Sequence, residues 1–152
     1  LSKIHLSSAL QLDPRSENWR ALEPFADSTY LHQTVIRPTR KLEPLRRMRD
    51  LSEALDLART QPDAIGAEWR VHFHIPLGDE PAPPLRSTRD HLTGTLAWLA
   101  NHADACNHME METYTWSVLP PALQRADITD QLIAEYRWTL QALRHAGIMK
   151  IS

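Results

Sequence analysis

Arg-Val-His-Phe-His-Ile-Pro-Leu, residues 70–77, alternates apolar and polar side chains with period two and reads as a β-strand. Val71, Phe73 and Ile75 fall on one face, and Arg70, His72 and His74 on the other. A proline-rich loop follows through Pro84. Ser87-Thr88-Arg89-Asp90 then caps a helix whose Leu92, Leu96, Leu99 and Ala103 form an apolar stripe. Downstream, His108 to Trp116 alternates again. Met109, Met111, Thr113 and Thr115 oppose His108, Glu110, Glu112, Tyr114 and Trp116. Asp127-Ile128-Thr129-Asp130 opens a last helix that ends at Gly147, with Leu132, Ile133, Tyr136, Leu140 and Leu143 predicted inward.

Upstream of residue 70, Lys3 to Leu6 is a short β-like run closed by Ser7-Ser8. Asp13-Pro14 is suited to opening a helical stretch in which Trp19, Leu22 and Phe25 recur at helical spacing. Tyr30 to Arg37 is rich in β-formers and stops at Pro38. Residues 38–41 read as a turn, and Leu42 to Arg49 as the second arm of a hairpin. Asp50-Leu51-Ser52-Glu53 resembles a capping box, which starts a helix at Leu51 that ends near Thr60. Strand, hairpin, helix, strand, helix, strand, helix is the alternation of βα units around a parallel sheet. Three such units make a small fold by themselves and fit better as part of a larger one.

The composition is that of a globular chain: 152 residues, 42% hydrophobic and 24% charged. A formal net charge of -2 removes the usual electrostatic case for nucleic-acid binding. No run reaches the roughly 20 apolar residues of a membrane helix. Cys106 is the one cysteine and forms no intrachain disulfide, which is compatible with a reducing cytoplasm. The chain opens on Leu1, directly on a strand-like run, which suggests that residues precede it. Arg46, Arg47 and Arg49 read as a solvated edge or as a contact for an anion.

Each predicted strand carries one face fit to lie beneath helices and one crowded with imidazole, carboxylate and ammonium groups; the first repeats the pattern in Lys3, His5 and Ser7. An open sheet with one wet side explains this, and so does a barrel interior. The strands are separated by helices, and the polar face is rich in His and Glu and holds Tyr114 and Trp116, which favours the interior. In a (β/α)8 barrel, ligands bind at the C-terminal strand ends. That ranks His74 above His72, and Glu112 and Tyr114 above His108 and Glu110. Glu110 is expected to pair with a nearby base such as Lys3 or Arg70.

Lys-Ile-His-Leu-Ser-Ser-Ala-Leu (3–10), Tyr-Leu-His-Gln (30–33), Val-His-Phe-His-Ile-Pro-Leu (71–77) and Met-Glu-Thr-Tyr-Thr-Trp-Ser-Val-Leu-Pro (111–120) together resemble the C-terminal part of the EboE "metabolite traffic" family. That family belongs to the xylose-isomerase-like TIM-barrel superfamily. The resemblance implies an α/β fold, with residues 1–152 a single domain forming the C-terminal portion of a larger (β/α)8 barrel. It also implies a divalent metal ion (Zn, Mn or Mg) held at strand ends. Glu112 matches the last-strand carboxylate ligand and is the catalytic candidate, and His5 matches a His or Gln ligand on an earlier strand. His74 joins them as a metal candidate by position, and His72, Tyr114, Arg70 and His32 are candidates for the substrate. The remaining ligands have no match in this chain, so the metal site is expected to be incomplete without an N-terminal barrel part or homo-oligomerisation. Imidazole and carboxylate suit such ions, which polarise a carbonyl or activate water. The expected activity is a metal-dependent isomerase or epimerase acting on a small polar, sugar-like metabolite. Two alternatives are a carrier of an isoprenoid or lipid-like metabolite without turnover, and a phosphodiesterase of the endonuclease IV type; the lack of a basic face disfavours the latter.

Overall fold

A computed structural model describes residues 1–112 and 127–149. Tyr114 and Trp116 therefore lie outside the described residues. The elements are β1 (Ile4–Leu6), β2 (Ser8–Leu12), β3 (Thr34–Arg37), β4 (Arg46–Met48), α1 (Leu51–Thr60), β5 (Glu68–Ile75), β6 (Arg86–Ser87), α2 (Arg89–Ala100), β7 (Met109–Met111) and α3 (Ile128–His145). The chain is mixed α/β. It divides into two compact units, the first made of Leu1–Ser8, His74–Glu80 and Ser87–Ser152, the second of Ala9–Phe73 and Pro81–Arg86.

In the first unit β1 and β7 pair in parallel, with Ile4 opposite Met109, His5 opposite Glu110 and Leu6 opposite Met111. Their apolar face packs on a core of Leu6, Leu77, Leu92, Leu96, Leu99 and Cys106. Each buried leucine contributes about 1.5–3 kcal/mol through removal from water. The stripe predicted on α2 is buried at Leu92, Leu96 and Leu99. Ala103 departs from it, because α2 ends at Ala100 and Ala103 sits in an exposed 3-10 turn.

α3 starts where the sequence indicates, with the Asp127 carboxylate accepting from Thr129 N–H. Its burial is different from the expectation. The buried residues are Gln131, Glu135 and Thr139, whereas Ile133 and Tyr136 are exposed. Leu143 meets the core as expected, joined by Trp138 and Ala142, and the Thr139 hydroxyl donates to Met111 Sδ at 3.1 Å.

The second unit is built on a five-stranded sheet in the order β4-β3-β5-β2-β6; β2, β5 and β6 each run one or two residues into the first unit. β3 pairs antiparallel with both β4 and β5. Parallel pairing joins β1 and β7, whereas β3 runs antiparallel to both of its neighbours, and the hairpin arms set the direction there. β2 begins where Ser7-Ser8 is expected to close the first strand, and it buries Ser8, Leu10, Gln11 and Leu12 in the sheet. The Asp13 carboxylate is taken by Arg15 instead of capping a helix, and that hydrogen bond, with the guanidinium charge, holds its pKa down at about 2. The helical stretch comes later, as a 3-10 helix over Asn18–Phe25 that buries Trp19, Leu22 and Phe25.

The strand predicted from Tyr30 begins only at Thr34. Asp27 explains this, because its carboxylate accepts from Thr29 and Tyr30 N–H and turns the chain before it can extend. Asp50 caps α1 as the sequence indicates, accepting from Ser52 N–H, while the Glu53 carboxylate reaches back to Arg49 N–H. Gly66 precedes β5 at φ +75, and a Cβ there would stand 2.5 Å from the Arg37 carbonyl oxygen. Only glycine satisfies both conditions.

Candidate functional site

The polar faces of β1 and β7 lie side by side because the pair is parallel and in register, so residues of one parity share a face. Lys3 Nζ donates to Glu110 Oε2 at 2.8 Å, and His108 Nε2 stands 2.9 Å from Glu110 Oε1. The hydrogen bond from Lys3, then that from His108, holds the Glu110 carboxyl below its ordinary pKa. Glu110 is thereby engaged with Lys3, one of the two bases anticipated for it.

Glu112 follows β7, its N–H bonded to the Leu6 carbonyl at 3.2 Å, which fixes the residue against the end of β1. Its Oε2 lies 3.5 Å from His5 Nδ1 and 3.7 Å from His74 Nδ1. Three residues more than a hundred positions apart at the extremes thus meet at one carboxylate oxygen, all within the first unit. The cluster is graded in burial: the side chain of His74 is 5% exposed, Glu112 26% and His5 46%. Both distances exceed a hydrogen bond, so the groups attract by charge and dipole without being locked together. A carboxylate flanked by an inner and an outer imidazole can accept a proton, and the outer ring is reachable by a solute.

These same three residues were the metal candidates. Among the described residues no group of three or more His, Cys, Asp or Glu side chains is disposed to hold a metal ion. No step below runs through a metal.

The substrate candidates are distributed otherwise. Arg70 and His72 are exposed on β5 in the second unit, and Arg70 Nε donates to Glu68 Oε1 at 3.0 Å. His32 is 2% exposed, with Nε2 2.7 Å from Asp27 Oδ2 and Nδ1 3.3 Å from the His72 carbonyl oxygen, so both ring nitrogens are engaged within the protein. Its ring also packs on Phe73, with centroids 4.8 Å apart. Burial works to raise the Asp27 carboxyl, but hydrogen bonds from His32, Thr29 and Tyr30 outweigh it and hold the group below its usual pKa. The signal for this pair was the Asp five residues before the His, short enough for a turn to close. Sequence reading also passed over the buried polar row Gln131, Glu135 and Thr139 on α3, where Gln131 and Glu135 line a cleft of about 240 Å3 with Pro76, Gly78 and Asp79.

No protein-family model matches the chain, and searches of curated proteins and of solved structures find no match. Among the described residues no helix is long and apolar enough to cross a membrane.

Proposed function

We propose that the protein is an isomerase or epimerase of the xylose-isomerase-like kind, acting on a small polar metabolite, with Glu112 as the proton-transfer group. The observation that supports this reading is the approach of Glu112 Oε2 to His5 Nδ1 and His74 Nδ1 at 3.5 Å and 3.7 Å. In this reading the Glu112 carboxylate takes the proton from the carbon beside a substrate carbonyl. The C–H electron pair forms the carbon–carbon double bond of an enediol as the carbonyl oxygen takes a proton from His5. Delivery of the Glu112 proton to the former carbonyl carbon, with the proton of the other enediol hydroxyl passing to His5, completes an aldose–ketose exchange. Delivery of a solvent proton to the same carbon from the opposite face, with the enediol hydroxyl returning its proton to His5, gives an epimer. His74, nearly buried, serves to hold the carboxylate from behind.

Solvent-exchange NMR in D2O over a panel of small aldoses, ketoses and hydroxyketones tests the reading. Deuterium is expected at the carbon beside the carbonyl, with the rate reduced at least about 100-fold in Glu112→Gln, as for loss of a general base. No exchange across the panel, or exchange indifferent to Glu112→Gln, overturns it. Metal analysis of the same protein tests the other implication of the resemblance: bound Zn, Mn or Mg lost in both Glu112→Ala and His5→Ala would assign the ion to these side chains.

A further inference from the structure

Among the described residues, β4 is the outermost strand of the five-stranded sheet and pairs with β3 on one side. Its residues and those around it are exposed, including Leu42 at 100% and Leu45 at 52%. Unpaired strand edges are templates for another strand, and proteins blunt them with charge and proline. Pro44 and the arginines of this segment do so here, but the charge has one sign. Six of the thirteen residues from 37 to 49 are Arg or Lys, and one, Glu43, is acidic, in a chain whose formal net charge is -2. Arg37 is engaged by Glu68 and Arg40 by Glu43. Arg46 Nη1 donates to the Ala64 carbonyl at 3.2 Å. Among the described residues, Lys41, Arg47 and Arg49 have no carboxylate partner.

Like charge repels a second copy of the edge, since self-pairing would bring two arginine runs face to face. Opposite charge is attracted. The register sorts the side chains: Arg47 lies opposite Val35, and Arg70 lies opposite Val35 on its other side, so two guanidinium groups share one face of the sheet. Met48 and Arg46 take the other face, where Arg46, Pro44 and Arg40 border a cleft of about 480 Å3 with Ile36. A strand with carboxylates at alternate positions and apolar residues between them matches this edge on both faces.

We propose that the free edge of β4 is a docking site for an acidic, extended polypeptide segment of a partner protein, which adds to the sheet as a sixth strand. Backbone hydrogen bonds supply the affinity and the arginines supply the selection, as in strand addition generally. Fluorescence anisotropy with a labelled (Glu-Val)4 peptide is the test. Saturable binding is expected. It should weaken at least about tenfold in Arg47→Glu/Arg49→Glu, both exposed positions, and by a similar factor when alternate peptide nitrogens are methylated. The doubly substituted protein should gain binding of (Lys-Val)4. Several results overturn the proposal: no binding of (Glu-Val)4, or methylated and unmethylated peptides binding alike, which would mean charge attraction without strand addition. Binding of a single-stranded oligonucleotide in place of the peptide would do so as well, as would a dimer in light scattering that the double substitution dissociates.

Discussion

Replacing Asp50 with alanine removes two acceptors that serve different parts of the second unit. Oδ2 accepts from Ser52 N–H at 3.4 Å and caps α1, while Oδ1 accepts from the N–H of the buried His32 at 2.8 Å. Loss of the cap costs about 1 kcal/mol. Leaving a buried backbone N–H without its partner costs roughly 1–3 kcal/mol more. The total is about 2–4 kcal/mol, which in urea moves the midpoint down by roughly 1–2 M at the slope of a small domain. Asp50→Asn discriminates the two roles. An amide offers one oxygen, so it keeps the cap or the His32 contact and recovers about half of the loss. Urea titrations followed by circular dichroism give the midpoints, and hydrogen exchange at the His32 amide reads the second contact directly. A loss below about 0.5 kcal/mol for Asp50→Ala, or equal losses for Asn and Ala, would refute the assignment of separate work to the two oxygens.

Gly66→Ala is expected to destabilise the second unit by more than about 1 kcal/mol, because it combines a positive φ with a Cβ 2.5 Å from the Arg37 oxygen. A thermal melt unchanged by the substitution would show that the turn relaxes freely. The carboxyls of Asp27 and Asp50 are both held below their ordinary pKa, Asp27 by hydrogen bonds from His32, Thr29 and Tyr30 that overcome its burial. A depressed carboxyl contributes stability above its unfolded pKa, about 3.9, and that contribution is lost as pH falls through the folded value. Urea midpoints should therefore fall on acidification below about pH 4, and Asp27→Asn should flatten part of that dependence. Parallel pH profiles for the two proteins would contradict the role given to Asp27.

What could be read in advance follows the range of the forces. The caps at Asp50 and Asp127 lie within three residues of the groups they satisfy, and both are where the sequence puts them. The parity of β5 holds from Trp69 to Phe73 and ends at His74, which is buried along with its neighbours Phe73 and Ile75. Which long-range surface covers a strand decides that, and alternation carries no record of it. α3 makes the same point: its apolar residues are amphipathically spaced, yet the Gln131, Glu135 and Thr139 row is the buried one. The antiparallel β3–β4 pair is the hairpin expected from the sequence, whereas the antiparallel pairing of β3 with β5, Thr34 opposite Val71, is specified by no local pattern. Of the site, the shared face of His5 and Glu112 follows from strand parity, a local rule, whereas His74 lies on a strand of the other sheet and was a candidate by its strand-end position. A buried, hydrogen-bonded His32 was the default reading of that position, but its partner was not legible, because the pair depends on Asp27 turning the chain back.

The parallel pairing of β1 with β7 also sets a timetable. Ile4 meets Met109, so 105 residues must be added after Ile4 before its partner exists. At synthesis rates of about 5–20 residues per second, that is an interval of roughly 5–20 s. During it, Ile4 and Leu6 have no β7 beside them, and any chaperone that shields nascent apolar segments has its longest opportunity there.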